Sequence, residues 1–164
     1  MREVLAAQGV ADSALRDRLV RLSAGSPGQA LALADEALWQ QRRALLEGLT
    51  APRPDSVGLA RNWTDFAEDA GKETALHRRR AWLLLRLLIE ALCDALHLQL
   101  GAPVRSCAPD EQALLRTLAD RASSTTILAL IERCLQAELQ LGRYIQVSLV
   151  LEGLMDSLCP SLAA

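Results

Sequence analysis

The sequence predicts an all-α protein, a helical bundle, and three observations carry that reading. Apolar residues recur at three- and four-residue spacing along most of the 164 positions. β-branched residues, which favour strands, are few. Gly, Pro and short polar residues interrupt the apolar pattern where helix ends are chemically favoured. No strand, internal repeat or low-complexity tract is read. A chain of this length buries roughly 70% of the surface its unfolded form exposes, so its core needs no covalent staple.

The elements follow in order. A first helix is expected over Glu3–Gln8, ending at Gly9. A second starts at Asp12 or Ser13 as N-cap, carries Leu15, Leu19 and Leu22 on one face, and stops before Gly25. Ser26-Pro27-Gly28-Gln29 is a strong helix start: Ser26 caps, Pro27 takes the first helical position, and Gln29 completes a capping box. That third helix is expected to run on to Leu49 through Leu31, Leu33 and Trp39. Thr50 to Asp55, with Pro52 and Pro54, reads as a linker. A helix over Val57–Ala70 places Leu59, Trp63 and Phe66 at core spacing. The longest helix, Glu73–Leu100, would span about 40 Å and end at Gly101-Ala102-Pro103. Asp110 is expected to cap a short helix to Ala122, and Ser123 or Ser124 another to Leu141. Gly142 is expected to make a turn, and a last helix from Gln146 to be stopped by Pro160.

Composition narrows the function classes. Charged residues are 23% of the chain, hydrophobic residues 51%, and the net charge is −2. That balance suits a globular domain and argues against nucleic-acid binding through a basic surface, which needs clustered cations. All the basic residues but Lys72 are Arg, which looks like genomic base composition. The N-terminus lacks the apolar run of a signal peptide. The most apolar stretch, Ala81–Leu100, is broken by Arg86, Glu90, Asp94 and His97. These read as one wet stripe on a buried helix and would not suit a membrane span. A cytoplasmic protein follows, with Cys93, Cys107, Cys134 and Cys159 as buried, reduced thiols.

The chemistry of a catalytic centre is not found. Gly25-Ser26-Pro27-Gly28 lacks the Lys and the preceding strand of a phosphate-binding loop. The carboxylate pairs Asp35-Glu36 and Asp110-Glu111 are adjacent, so their side chains diverge on a helix. The second pair suits the positive end of a helix dipole. His77 and His97 lie too far apart on one helix to serve one site, and no cysteine pair has metal-ligand spacing. No catalytic residue, metal ligand or cofactor site is assigned. The helix-turn-helix at Ala11–Ala34 could in principle read DNA, but its second helix has no Arg or Lys to reach base edges. Val147–Leu158 is apolar on more than one face, as in a helix central to a bundle or buried between subunits.

Two segments carry a family resemblance. Leu19-Val20-Arg21-Leu22-Ser23-Ala24-Gly25-Ser26-Pro27-Gly28-Gln29-Ala30-Leu31 resembles the lid signature of bacterial clamp-loader subunits, L-a-x-G-S-x-x-x-A-L, at the end of their AAA+ module. The matching motif residues are Gly25, Ser26, Pro27, Gly28, Ala30 and Leu31. Leu139–Leu158, LQLGRYIQVSLVLEGLMDSL, is similar to the family's closing helices, with Leu149, Leu151, Glu152, Leu154 and Leu158 in register. Tyr144 and Gln146 stand where the family has asparagines.

The resemblance implies residues 1–36 as the end of a lid subdomain and 37–164 as a helical collar. ATP-binding clamp-loader subunits carry a γ-phosphate-sensing arginine at the position of Gly28, and glycine supplies no guanidinium. That departure resembles the delta-prime subunits of DNA polymerase III, which do not turn over ATP. With no strand and no phosphate loop, the chain corresponds to the C-terminal portion of such a subunit, without its nucleotide-binding domain, and Met1 is not expected to be the subunit's native start. The implied role is assembly of a hetero-oligomeric ring with tau/gamma and delta subunits, with no direct nucleic-acid contact. Apolarity and charge placement select Arg78, Arg79, Tyr144, Gln146 and Glu152 as interface candidates. Two other readings stay open: a free-standing helical ligand-binding or adaptor bundle, and a helix-turn-helix regulator.

Overall fold

The computed structural model describes residues 2–7, 9–10, 12–23, 25–104 and 111–163. Among them every regular element is a helix: α1 (Arg2–Ala7), α2 (Ser13–Leu22), α3 (Pro27–Ala32), α4 (Glu36–Leu49), α5 (Ser56–Glu68), α6 (Thr74–Gln99), α7 (Gln112–Arg121), α8 (Ser124–Gly142) and α9 (Val147–Leu162). The chain divides into two compact units, residues 1–40 and 41–164.

In the first unit, α1, α2 and α3 pack pairwise, with Leu5, Leu19, Ala30, Leu33 and Leu38 buried. Short polar caps set the helix starts. Asp12 accepts from the backbone N–H of Ala14, and Ser26 from that of Gln29. The sequence predicts one helix from Pro27 to Leu49; the structure breaks it at Leu33–Asp35. Asp35 supplies the reason: its carboxylate accepts from the Ala37 N–H and opens α4 as a fresh cap. Trp39 locks the break by donating its indole N–H to the Leu33 carbonyl at 2.8 Å.

In the second unit, α5, α6, α8 and α9 form a four-helix arrangement in which α5 packs on α6 and α9, and α8 on α6 and α9. α7 packs beside α6. α6 is central, burying Leu83, Leu84, Leu85, Leu87, Leu88 and Leu92. Each buried Leu contributes roughly 1.5–3 kcal/mol of hydrophobic transfer, so the bundle rests on this helix. Trp63 of α5 is fully buried, whereas Phe66 is half-buried under the guanidinium of Arg80. The expected wet stripe on α6 is incomplete: Asp94 is only 2% exposed, 3.9 Å from the His97 ring.

α6 ends as predicted at Gly101, whose φ of 68° is left-handed. The N–H of Ala102 bonds the His97 carbonyl and that of Gly101 bonds Leu98, a Schellman closure. α8 ends the same way, but not where the sequence predicts. Gly142 is its last helical residue, and the left-handed position is filled by Tyr144 at φ 62°. The Ile145 N–H bonds the Gln140 carbonyl, and the Tyr144 N–H bonds Leu141.

Pro160 does not stop α9, which continues to Leu162. Pro160 and Asp156, whose carbonyl loses its helical partner, both lie on the exposed side, while Leu158, Cys159 and Leu162 stay buried. Asp110 and Cys107, predicted as a helix cap and a buried thiol, lie outside the described residues.

Candidate functional site

The candidate interface residues fall in three places. Arg78, Arg79 and Tyr144 meet at a cleft of about 430 Å³ between the start of α6 and the end of α8, lined also by Thr74, Ala75, Trp82, Glu138, Leu141 and Gly142. Arg78 holds this corner together. One guanidinium nitrogen donates to the carbonyls of Leu141 and Ile145, at 2.8 and 2.9 Å, and the group lies over the Tyr144 ring at 5.1 Å. Arg79 points to solvent. Trp82 donates its indole N–H to Glu138 at 2.9 Å, and Glu138 also lies 3.7 Å from Arg86.

Gln146 occupies the N-cap position of α9, but its side chain donates to the Ser148 hydroxyl, not to a helix-end group. Glu152 stands apart from the arginines. It lines a smaller cleft of about 320 Å³ between α5 and α9 with Val57, Arg61, Asp65 and Asp156.

The lid-like motif is a turn between α2 and α3. Gly25 adopts φ 85°, Ser26 caps, Pro27 begins α3, Ala30 is buried and Leu31 partly exposed. A β-carbon at Gly28 would meet nothing within 4 Å, so packing does not require glycine there. α3 is six residues long and carries no cation, which leaves the helix-turn-helix without a reading helix.

A further surface escapes sequence reasoning. α8 buries Ile127, Leu130, Cys134, Ala137 and Leu141 on one face. Roughly opposite, Leu128, Leu135 and Leu139 are 46–63% exposed. Their seven- and four-residue spacing places them on one stripe. Both faces are leucine-rich, so periodicity alone cannot say which one turns inward.

Burial disfavours the reactive thiolate at the described cysteines. Cys134 and Cys159 are buried, Cys93 is half-buried, and all three are free. Burial pushes Cys134 up to about 12 and Cys159 up to about 11, and raises Cys93 above the ordinary thiol range. Among the described residues, no group of three or more His, Cys, Asp or Glu could hold a metal ion, and no helix is long and apolar enough to cross a membrane.

A comparison with curated proteins finds no match. A family comparison does: residues 36–158 match the family described as DNA polymerase III, delta subunit, C terminal. The match takes in every helix from α4 to α8 and α9 as far as Leu158. On that coverage, the chain belongs to the family formed by the C-terminal domains of DNA polymerase III delta.

Proposed function

We propose that this chain is a non-catalytic structural part of the DNA polymerase III clamp loader, acting during DNA replication by holding neighbouring subunits in a ring. Residues 37–164 serve as the collar and residues 1–36 as the end of a lid. The observation that carries this is the exposed leucine stripe of α8, Leu128, Leu135 and Leu139, within the segment that matches the family. Exposed leucines at helical spacing are costly in an isolated bundle and are accounted for when a second helix covers them. The partners are tau/gamma and delta subunits in a cytoplasmic hetero-oligomer. Arg78, Arg79, Tyr144, Gln146 and Glu152 are proposed to border these contacts.

Within the clamp loader, delta-prime is the proposed identity. Its support is Gly28, where a nucleotide-sensing subunit needs an arginine, in the Gly-Ser-Pro-Gly spelling of the turn. The family description favours a second reading, delta itself. Displacement separates the two. The chain is added in excess to a reconstituted clamp loader of the same species, and the released subunit is identified by mass. Release of delta-prime supports the first reading and release of delta the second. Release of neither, with the added chain remaining free, contradicts the assembly role.

A further inference from the structure

We propose that the cleft between the start of α6 and the end of α8 binds an acidic peptide segment, which seats an apolar side chain against Trp82 and Tyr144. The cleft's volume, about 430 Å³, lies within the usual range for ligand pockets. Its floor and walls are apolar: the Trp82 indole, Leu141, Ala75 and the Tyr144 ring. Gly142 leaves one side open, with nothing within 4 Å of where its β-carbon would stand.

The charges in the lining select the sign of the ligand. Glu138 is its carboxylate, and that group is already engaged by the Trp82 indole and by Arg86. Arg78 is bonded to two neutral carbonyls and keeps its full positive charge. Arg79 is exposed and has no hydrogen-bond or ion-pair partner among the described residues. An incoming carboxylate would meet one fixed and one available guanidinium beside an apolar wall, where ion pairing is stronger than in open water.

The wall is also preorganised at a cost. Tyr144 is 83% exposed in a left-handed conformation that aromatic residues seldom adopt, and Arg78 holds it there. A peptide fits these features better than a nucleic acid does. The lining has two cations and much apolar surface, too few charges to follow a phosphate backbone and enough apolar wall to seat a side chain. The inference is independent of the ring-assembly reading, which rests on the α8 stripe.

The test is a ¹H–¹⁵N titration of the intact chain, following the Trp82 indole N–H, identified by its loss in Trp82→Phe. The probe is an acetylated, amidated hexapeptide of two leucines flanked on each side by two glutamates. The control has lysines in place of the glutamates. Saturable movement of the Trp82 signal by the acidic peptide is expected, with binding at least tenfold tighter than the control. Arg79→Glu should remove or reverse that preference. Tyr144→Gly, which relieves the left-handed strain and so should fold, should weaken binding severalfold. No saturable movement at millimolar acidic peptide, equal binding of both peptides, or an unchanged preference in Arg79→Glu would overturn the proposal. So would a single-stranded oligonucleotide moving the same signal at lower concentration than the acidic peptide.

Discussion

The guanidinium of Arg78 lies over the ring of Tyr144, 5.1 Å from its centre, while donating to the carbonyls on either side of that residue's turn. Tyr144 occupies the left-handed position where a Schellman closure ordinarily has glycine. Arg78 therefore offsets a strain that the sequence builds into the end of α8. It also ties α6 to the α8–α9 connection across more than 60 residues of chain.

Substitution at Tyr144 should separate strain from contact. A left-handed L-residue costs about 1–2 kcal/mol, and an exposed cation–π contact returns about 0.5–1 kcal/mol. Tyr144→Gly is expected to leave stability within about 1 kcal/mol of the parent or slightly above it. Tyr144→Val, β-branched at positive φ, should lose clearly more. Urea unfolding of both variants checks the order, and a Val variant as stable as the Gly variant would refute the strain.

Arg42 and Glu111 form an ion pair at 3.4 Å with 1% and 4% of their side chains exposed. Removing one member of a buried ion pair costs about 3–5 kcal/mol. Arg42→Met should lose stability in that range. Adding Glu111→Leu should recover much of the loss, because the buried negative charge goes with its countercharge. A double-mutant cycle by denaturant unfolding reads the coupling, and simple additivity would contradict it.

Cys134 should resist alkylation in the folded chain. Burial lifts its thiol to about 12, against an ordinary value near 8.5. At pH 8 about one molecule in ten thousand carries the thiolate, compared with about a quarter for an ordinary thiol. The neutral thiol is the form that folding favours. Its stability contribution is therefore complete below about pH 8.5 and is lost as pH rises towards 12. Site-resolved iodoacetamide labelling at pH 8, native against urea-unfolded, should show strong protection. Equal labelling would show that the site opens.

Gly28 should accept a side chain. It sits at the second position of α3 with open space around it. Gly28→Ala is expected to raise stability by about 0.5–1 kcal/mol by restricting the unfolded chain. A thermal-melt comparison checks the sign, and destabilisation would mean that the glycine is structurally required.

Much of this fold can be read from local chemistry. Asp12, Ser26 and Ser123 announce helix starts, Gly101 announces the end of α6, and the all-α class follows from spacing. The misses have separate causes, one local and others set by what surrounds the helix. Asp35 looks like half of a carboxylate pair and is a cap. Pro160 looks like a stop, but it and Asp156, whose carbonyl it frees, lie on the exposed side and the helix continues. Gly142 looks like the turn, but Arg78 holds Tyr144 in that role from a distant helix. The site was legible only in part. The arginines and Tyr144 could be singled out by charge and apolarity. The outer leucines of α8 could not be told from the inner ones until the bundle showed which face α6 and α9 cover.

The most direct test of ring assembly is the mass of complexes formed with purified tau/gamma and delta subunits of the same species, measured by light scattering during size exclusion. The parent chain should elute in a defined hetero-complex that withstands moderate salt. Leu135→Glu, on the exposed stripe, should stay folded and elute alone, reflecting at least a hundredfold loss of affinity, about 2.7 kcal/mol. A parent chain that elutes as a folded monomer beside unchanged partners would contradict the account. So would a Leu135→Glu chain that joins the complex as well as the parent does.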